Sequence, residues 1–531
     1  MNNIKIFVAD DVSENGLLPL RAAGFTVEKR TGLKDIALKM AVRDCAGLIV
    51  RSETKVTGEV MNEAAKLRAI GRAGVGVDNI DVAEASKRGI IVMNAPDGNT
   101  MTTAEHTFAL ILALARRVPQ GYCSLREGRW ERKRFVGVEL RGKTLGIVGL
   151  GRIGRVVAER ARAFEMKVIA FDPFVSEEAA RNMEIEIAPL EGVFARADFL
   201  TVHTPLTSET RGIIGAEAFK RMKPSVRIIN CARGGLVDEA ALYEAIKEGR
   251  VAGAALDVFE KEPPPPEHPL LTLDEVIATP HLGASTKEAQ EGVAVTVAEQ
   301  MRDYFLTGAP RGAVNMPAIS ADELNKLQPY MRLAEQLGKF HAQLTDDTVR
   351  DVNVHYAGEV AEMDAAPVTR SFLAGLLRDM SARVNIVNAL LIAEERGINV
   401  TASYKRVTNE KTPCLQTTVT TKKNETKVAG DLFGSGGGES RIVGIDGFNV
   451  EAMLWGNVLV MRNADVPGVV GEVGTSLGRR GVNISRFQLG RRAPGQDAMA
   501  IIEIDAPLDA ESLNELRAIR EVIDLRQINF S

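Results

Sequence analysis

Three residues far apart in the chain form a set able to oxidise a secondary alcohol: Arg233 in NCARGG, Glu262 in DVFEKEPP and His281 in TPHLGAS. That reaction needs a base for the hydroxyl proton while a hydride leaves the same carbon. Histidine titrates near neutrality, and a neighbouring carboxylate holds its ring and stabilises its charged form. An arginine can grip a substrate carboxylate through two hydrogen bonds. Taken singly, each also has a plain structural reading: a hydrogen-bonded histidine, a surface acid, a base at a helix entry. All three follow strand-like runs, so one sheet edge could gather them.

The hydride acceptor has its own signal. GLGRIG sets Gly149, Gly151 and Gly154 in a GxGxxG between the strand-like KTLGIV and the helical RVVAERARAF. Asp172 ends the next strand-like run, 18 residues beyond Gly154. This context predicts a dinucleotide fold, with a tight turn, a close approach to pyrophosphate and an acid on the ribose. An acid at that place repels a 2′-phosphate, which favours NAD over NADP.

Such residues need elements to position them, and the pattern supplies these. IKIFVAD, AGLIV, LRAIGRAG and GIIVMNAP alternate with helical segments, as do KTLGIVG, KVIAFDP, ADFLTVHTP, VRIINCARGG, GAALDVF and EVIATPH. Short apolar runs between helices predict two parallel α/β sheets. EHTFALILALARRV reads as a helix apolar nearly all round, capped by Thr102 or Thr103 and buried between two domains. STKEAQEGVAVTVAEQMRDYFLTG reads as one helix from a Ser or Thr cap to Gly308, able to return the chain to the first domain. GAPRGAVNMPAIS looks like a boundary. Beyond it lies an α/β or α+β unit with a glycine-rich turn in DLFGSGGGESRIVGIDG. From Trp455 onward the pattern reads strand, helix, strand, strand and helix.

Bulk properties exclude several classes. A chain of 531 residues should divide into three or four domains. A net charge of −4 gives no reason to expect nucleic acid or an anionic membrane as partner. No apolar stretch is long enough to span a bilayer. The scattered cysteines Cys45, Cys123, Cys231 and Cys414 suit a reduced cytoplasm and have no metal spacing.

GLGRIG with Asp172, VHTPLTSET, NCARGGLVDE, ALDVFEKEP and TPHLGAST together resemble the D-2-hydroxyacid dehydrogenases over nearly all of residues 1–315. The resemblance implies that Arg233 binds the substrate carboxylate, His281 is the acid/base and Glu262 orients it. It also implies cofactor contacts from Arg152, Ile153, Thr204, Cys231, Ala232 and Asp257. VRSETKVT, GRAGVGVDNID and APDGNTMTTAEH look like the substrate loops of the 3-phosphoglycerate branch, which brings in Ser52, Gly74, Val75 and Asn99. Arg51, Arg72 and Arg132 are the basic candidates for a phosphate, by charge and fork geometry. Arg132 sits in the charge-rich GRWERKRF, where a solvated basic face is an equal reading.

NADVPGVVGEVGTSLGRRGVNISRFQLGR resembles an ACT domain, a module that often binds a small amino acid between paired copies. By that resemblance Asn463, Asp465 and Asn483 are candidate contacts for L-serine. Two departures stand out: Asn463 where some relatives have histidine, and Asp465 where some have asparagine. The resemblance thus implies a discontinuous substrate domain (1–100 and 284–315), an NAD-binding Rossmann domain (101–283), an intervening domain (317–452) and an ACT domain (455–531). It also implies a homo-oligomer, with a tetramer expected. Two rival functions stay open: a glyoxylate or hydroxypyruvate reductase of the same fold, and an NAD-sensing corepressor-like binding protein. A substrate panel separates the first, and NADH binding without turnover would favour the second.

Overall fold

The computed structural model describes residues 4–308, 310–317, 321–378, 383–405, 412–434, 438–493 and 495–530. Five short strands form the first sheet: β1 (Lys5–Val8), β2 (Thr26–Lys29), β3 (Gly47–Val50), β4 (Ala69–Arg72) and β5 (Ile91–Asn94). All run parallel in the order β2-β1-β3-β4-β5. The GLIV run of β3 is buried at every position, as a parallel sheet covered on both faces requires.

The second sheet holds β6 (Thr144–Val148), β7 (Lys167–Phe171), β8 (Glu186–Ile187), β9 (Phe199–Val202), β10 (Arg227–Asn230), β11 (Gly253–Leu256) and β12 (Val276–Ala278). Its order is β12-β11-β10-β9-β6-β7-β8, again parallel throughout. Winding reverses between β1 and β3 in the first sheet and between β6 and β9 in the second. Ligands of doubly wound sheets collect beyond the strand ends at such reversals.

Two helices carry the chain between these units. The Thr100–Arg116 helix begins directly after Asn99, earlier than the Thr102 or Thr103 cap read from the sequence. It is buried along one face (Thr103, Ala104, Thr107, Phe108, Ile111 and Leu114 among others), while Glu105 and Ala109 are exposed, so the all-round burial expected of it does not hold. The Lys287–Thr307 helix is capped by Thr286, whose hydroxyl accepts from the Ala289 N–H, and ends at Gly308. Its Val293, Ala294, Val297, Ala298 and Met301 pack into the core of the first sheet.

In the third sheet β13 (Val349–Ala357) pairs in parallel with β14 (Asn399–Lys405). The antiparallel run β15 (Leu415–Thr421), β16 (Glu425–Phe433), β17 (Glu439–Ile445) and β18 (Ala452–Met453) completes it. Residues 435–437 of the expected turn, with its glycines at 436 and 437, lie outside the described residues. The helices Ala321–Leu344 and Ala366–Leu376 cross over this sheet at Gly338 and Gly375, where any side chain would strike the other helix's backbone.

The fourth sheet is antiparallel: β19 (Asn457–Ala464), β20 (Ile484–Arg491), β21 (Asp497–Ile504) and β22 (Val522–Asn529), ordered β20-β21-β19-β22. β22 is a sixth element that the sequence pattern did not give. One face carries the Val469–Arg479 and Ala510–Arg517 helices. The other sends Val458, Val460, Met499, Ile501 and Ile528 into the core of the third unit, so the last two units share one apolar interior. Among the described residues no helix is long and apolar enough to cross a membrane.

Candidate active site

The ends of β6, β9, β10 and β11 face the ends of β3 and β4 across a cleft. Two adjoining cavities occupy it, of about 450 and 420 Å3. They share Val75, Gly76, Asp78, Asn99, Leu206, Arg233, His281 and Ala284, so one continuous space runs between the two sheets.

His281 and Glu262 meet in the smaller cavity, His281 Nδ1 lying 2.7 Å from Glu262 Oε2. A carboxylate only accepts, so Nδ1 carries the hydrogen and Nε2 is left to exchange a proton. Burial works against the Glu262 charge, but the His281 hydrogen bond and charge, with the Phe259 N–H, outweigh it and hold the carboxyl below its usual range. His281 has a left-handed backbone, φ 55°, which costs a side-chain-bearing residue roughly 1 kcal/mol or more. Asp257 holds it there: its carbonyl accepts the His281 N–H, and its carboxylate accepts the N–H groups of Leu282 and Gly283. Burial of Asp257 opposes its charge. His106, Thr279 and the Leu282 N–H more than compensate, lowering its pKa. Asp257 is therefore placed behind the acid/base pair and is not among the residues lining either cavity.

Arg233 lines both cavities and donates through Nε to Asp78, 3.1 Å away in the first unit. Arg72 faces it from β4, with its Nε buried and unpartnered. Its guanidinium lies over Gly74, where a Cβ would collide with it. Burial, then the charges of Arg233 and Arg51, push its pKa down to about 10. A cation in these surroundings favours an anionic ligand. Ser52, Val75 and Asn99 also line the smaller cavity. Arg51 does not: its guanidinium donates to the Asp11 carbonyl at 3.0 Å. Arg132 lies in the short Arg132–Phe135 turn, also outside both linings.

The larger cavity suits a dinucleotide. Gly149 takes φ 96°, and a Cβ there would sit 2.8 Å from the His203 carbonyl, which explains the glycine. Gly151 precedes the Arg152–Ala163 helix with open space where a Cβ would point. A pyrophosphate can therefore approach the helix N-terminus. Asp172, just past β7, accepts the Leu150 and Phe174 N–H groups at 2.8 and 2.9 Å, which fixes a negative charge beside the glycine turn. Thr204 Oγ1 and Asn99 Oδ1 are buried without hydrogen-bond partners on the cavity wall. Arg152, Ile153, Cys231 and Ala232 line the same space. Arg152 is ion-paired across the cleft to Asp97 at 2.6 Å.

Sequence reasoning missed three carboxylates of the first unit. Asp78 and Asp97 pair with Arg233 and Arg152. Asp10, past the end of β1, accepts the Arg51 and Thr54 N–H groups and the Thr54 hydroxyl. Asp10 could have been noticed as a strand-terminal acid; the other two carry no local signal.

In the fourth unit the three expected effector contacts are not brought together. Asn463 is buried with Oδ1 unpartnered, and nearby Asp465 accepts from Arg491 and the Gly495 N–H. Asn483 donates instead to Asp505, next to the pairing of Ile484 with Ile504. Asn463 pairs with Ala498, six residues along β21, or about 20 Å away.

A glycine turn, a fixed ribose-position acid and an Arg–Glu–His set across one cleft define an NAD-dependent D-isomer-specific 2-hydroxyacid dehydrogenase. Comparison with known proteins agrees: residues 108–283 match the NAD-binding domain of that class, and residues 326–446 match the D-3-phosphoglycerate dehydrogenase intervening domain. The D-3-phosphoglycerate dehydrogenase of Archaeoglobus fulgidus is 44% identical over 98% of this chain and 99% of its own. That of Bacillus subtilis is 43% identical over 99% of each. A Thermus thermophilus protein of known structure superposes with a TM-score of 0.55 at 37% identity, covering 59% of this chain and all of its own. The chain belongs to the D-3-phosphoglycerate dehydrogenase family.

Proposed function

We propose that the protein oxidises 3-phospho-D-glycerate to 3-phosphohydroxypyruvate with NAD, the entry step of L-serine synthesis. The observation that carries the chemistry is the His281–Glu262 pair facing Arg233 in a cleft beside the dinucleotide turn. The near full-length likeness to enzymes of that name supports the substrate.

In this reading the substrate carboxylate displaces Asp78 and takes a forked contact from Arg233. The phosphate lies toward Arg72. His281 Nε2 takes the hydroxyl proton, and Glu262 stabilises the imidazolium that forms. Bound NAD supplies the hydride acceptor for the same carbon. Swinging the two sheets together expels water and strengthens each of these contacts.

L-serine is the proposed effector of the fourth unit. Since Asn463 and Asn483 lie at opposite ends of its sheet, a serine touching both kinds of contact needs a second copy of the unit. This fits a homo-oligomer, with a tetramer as the assembly proposed. A cytoplasmic location accords with four free cysteines; burial pushes the thiols of Cys45 and Cys231 up to about 12.

The deciding experiment is NADH formation at alkaline pH with 3-phosphoglycerate, D-glycerate and D-lactate, trapping the oxo product, with and without serine. Turnover confined to the phosphorylated acid is expected. Turnover only on unphosphorylated acids would leave the hydride chemistry standing and remove the substrate assignment.

A further inference from the structure

Behind the acid/base pair, a second histidine reaches the same loop from a different element. His106 lies in the second turn of the Thr100–Arg116 helix, where the sequence pattern reads only as apolar packing. Its Nε2 lies 3.1 Å from Asp257 Oδ1 and 3.2 Å from Thr279 Oγ1. The Thr279 hydroxyl donates to the same carboxylate oxygen at 2.6 Å, so its own hydrogen is committed. A carboxylate only accepts, so His106 Nε2 carries a hydrogen and donates to Asp257. The two side chains are 18% and 0% exposed, which shields the bond from water.

Asp257 takes the N–H groups of three consecutive residues, His281 on its carbonyl and Leu282 and Gly283 on its carboxylate. A carboxylate free to turn would release Leu282 and Gly283 and let His281 leave its left-handed backbone. Asp257 is also near enough for its charge to act on Glu262. The helix that carries His106 grips this loop a second time. Thr103, three residues earlier, donates from Oγ1 to the Gly283 carbonyl at 2.9 Å. Residues 99, 103 and 106 follow the spacing of one helix face, and Asn99 at its start lines both cavities. A histidine serving packing alone would rest on apolar neighbours. This ring is aimed at the carboxylate that shapes the acid/base loop.

We propose that His106 is a positioning residue: its Nε2–H fixes the Asp257 carboxylate and, through Leu282 and Gly283, holds His281 in line with the substrate hydroxyl. This rests on the oxidation proposed above. His106 lines neither cavity, so its effect reaches the substrate only through Asp257. Its loss belongs in kcat, with binding little changed.

The test compares His106→Gln with His106→Asn in the full-length protein. Glutamine places an amide N–H donor where Nε2 stands, while asparagine is one carbon too short to reach Asp257. Both are polar and uncharged, so a difference between them reports the hydrogen bond. kcat and KM are measured with the hydroxy acid that the wild type oxidises, NADH binding by fluorescence titration, and folding by thermal melting. For His106→Asn kcat should fall about tenfold or more, the size of a lost charge-assisted bond. KM and the NADH Kd should stay within about threefold, and His106→Gln should recover most of kcat. Equal kcat in the two variants, or a loss confined to KM or NADH binding, would overturn the positioning role. So would a well-folded His106→Gln that has lost about tenfold in kcat, whatever becomes of His106→Asn. A wild-type protein that oxidises no hydroxy acid would instead overturn the functional reading, and the positioning role with it.

Discussion

Arg72 and His341 are both ionisable side chains withdrawn from solvent, the first partly and the second fully, and their surroundings differ in kind. Arg72 looks into the cleft with its Nε unpartnered, close to the charges of Arg51 and Arg233. His341, on the Ala321–Leu344 helix, sits edge-on to Phe372 and donates through Nε2 to the Thr417 hydroxyl, which passes its own hydrogen to the Val428 carbonyl. The same contrast extends to the regions around them. Unpartnered Thr204 and Asn99 line the cleft, whereas Tyr356 with Thr369, Asn353 with Thr401 and His355 with Ser403 pair off inside the C-terminal half. Unpartnered atoms occur in both regions, His341 Nδ1 among them; what sets the cleft apart is that its unpartnered Arg72, Thr204 and Asn99 groups belong to residues lining a cavity that a ligand can enter.

Substitutions can break this contrast. Most severe should be His281→Ala: removing a general base costs about 10²- to 10⁴-fold in kcat. NADH affinity, followed by fluorescence titration, should change little; near-normal turnover would refute the acid/base role. Next comes Arg72→Met, expected to lower kcat/KM for the phosphorylated acid by about ten- to a hundredfold. Its melting temperature should hold or rise, because a desolvated cation without a partner is removed. A fall of several degrees would show that Arg72 serves the scaffold.

His341 should show the opposite behaviour. Burial pushes its pKa from 6.5 down to about 3, so it folds neutral while the unfolded chain takes up a proton below 6.5. Stability contributed by this neutral histidine is present above pH 6.5 and is lost as pH falls toward 3. At pH 5 the loss is about 2 kcal/mol. His341→Asn should flatten the dependence of the urea midpoint between pH 7 and 5, with turnover per folded molecule unchanged. An equal slope in both proteins would remove the assignment. Smallest is Asp97→Asn, which frees Arg152. Both partners are largely exposed, so the KM for NAD should fall by only about two- to threefold, and less at high salt.

The cleft was largely legible because its chemistry is written into short runs at strand ends. Parallel strands must be apolar throughout, so GLIV and its like stand out, and the residue after each run is brought to the cleft by the topology. Side-chain direction was less legible. Arg51 and Arg72 look equivalent in sequence, and only the hold of Asp10 on the Arg51–Thr54 loop turns one of them away. Asp78 and Asp97 find their arginines through the docking of two sheets, which no local pattern encodes. In the C-terminal half VIDLRQIN mixes apolar and charged residues unevenly, so β22 left no clean alternation. That half's shared interior depends on a sheet whose second face is covered by another unit.

The two passages of the chain between the first and second sheets lie side by side. Thr102, in the first turn of one crossing helix, and Thr286, the cap of the other, are 3.3 Å apart, and the neighbouring Asn99 and Ala284 line both cavities. Two tethers meeting at one spot act as a pivot. The units can swing about it, but sliding or separating would stretch both tethers at once. Displacement then grows with distance from Thr102 and Thr286, so a small rotation at the cleft floor becomes a long stroke at the rim. Little chain entropy is spent on each closure, since the joint is already ordered before any ligand arrives.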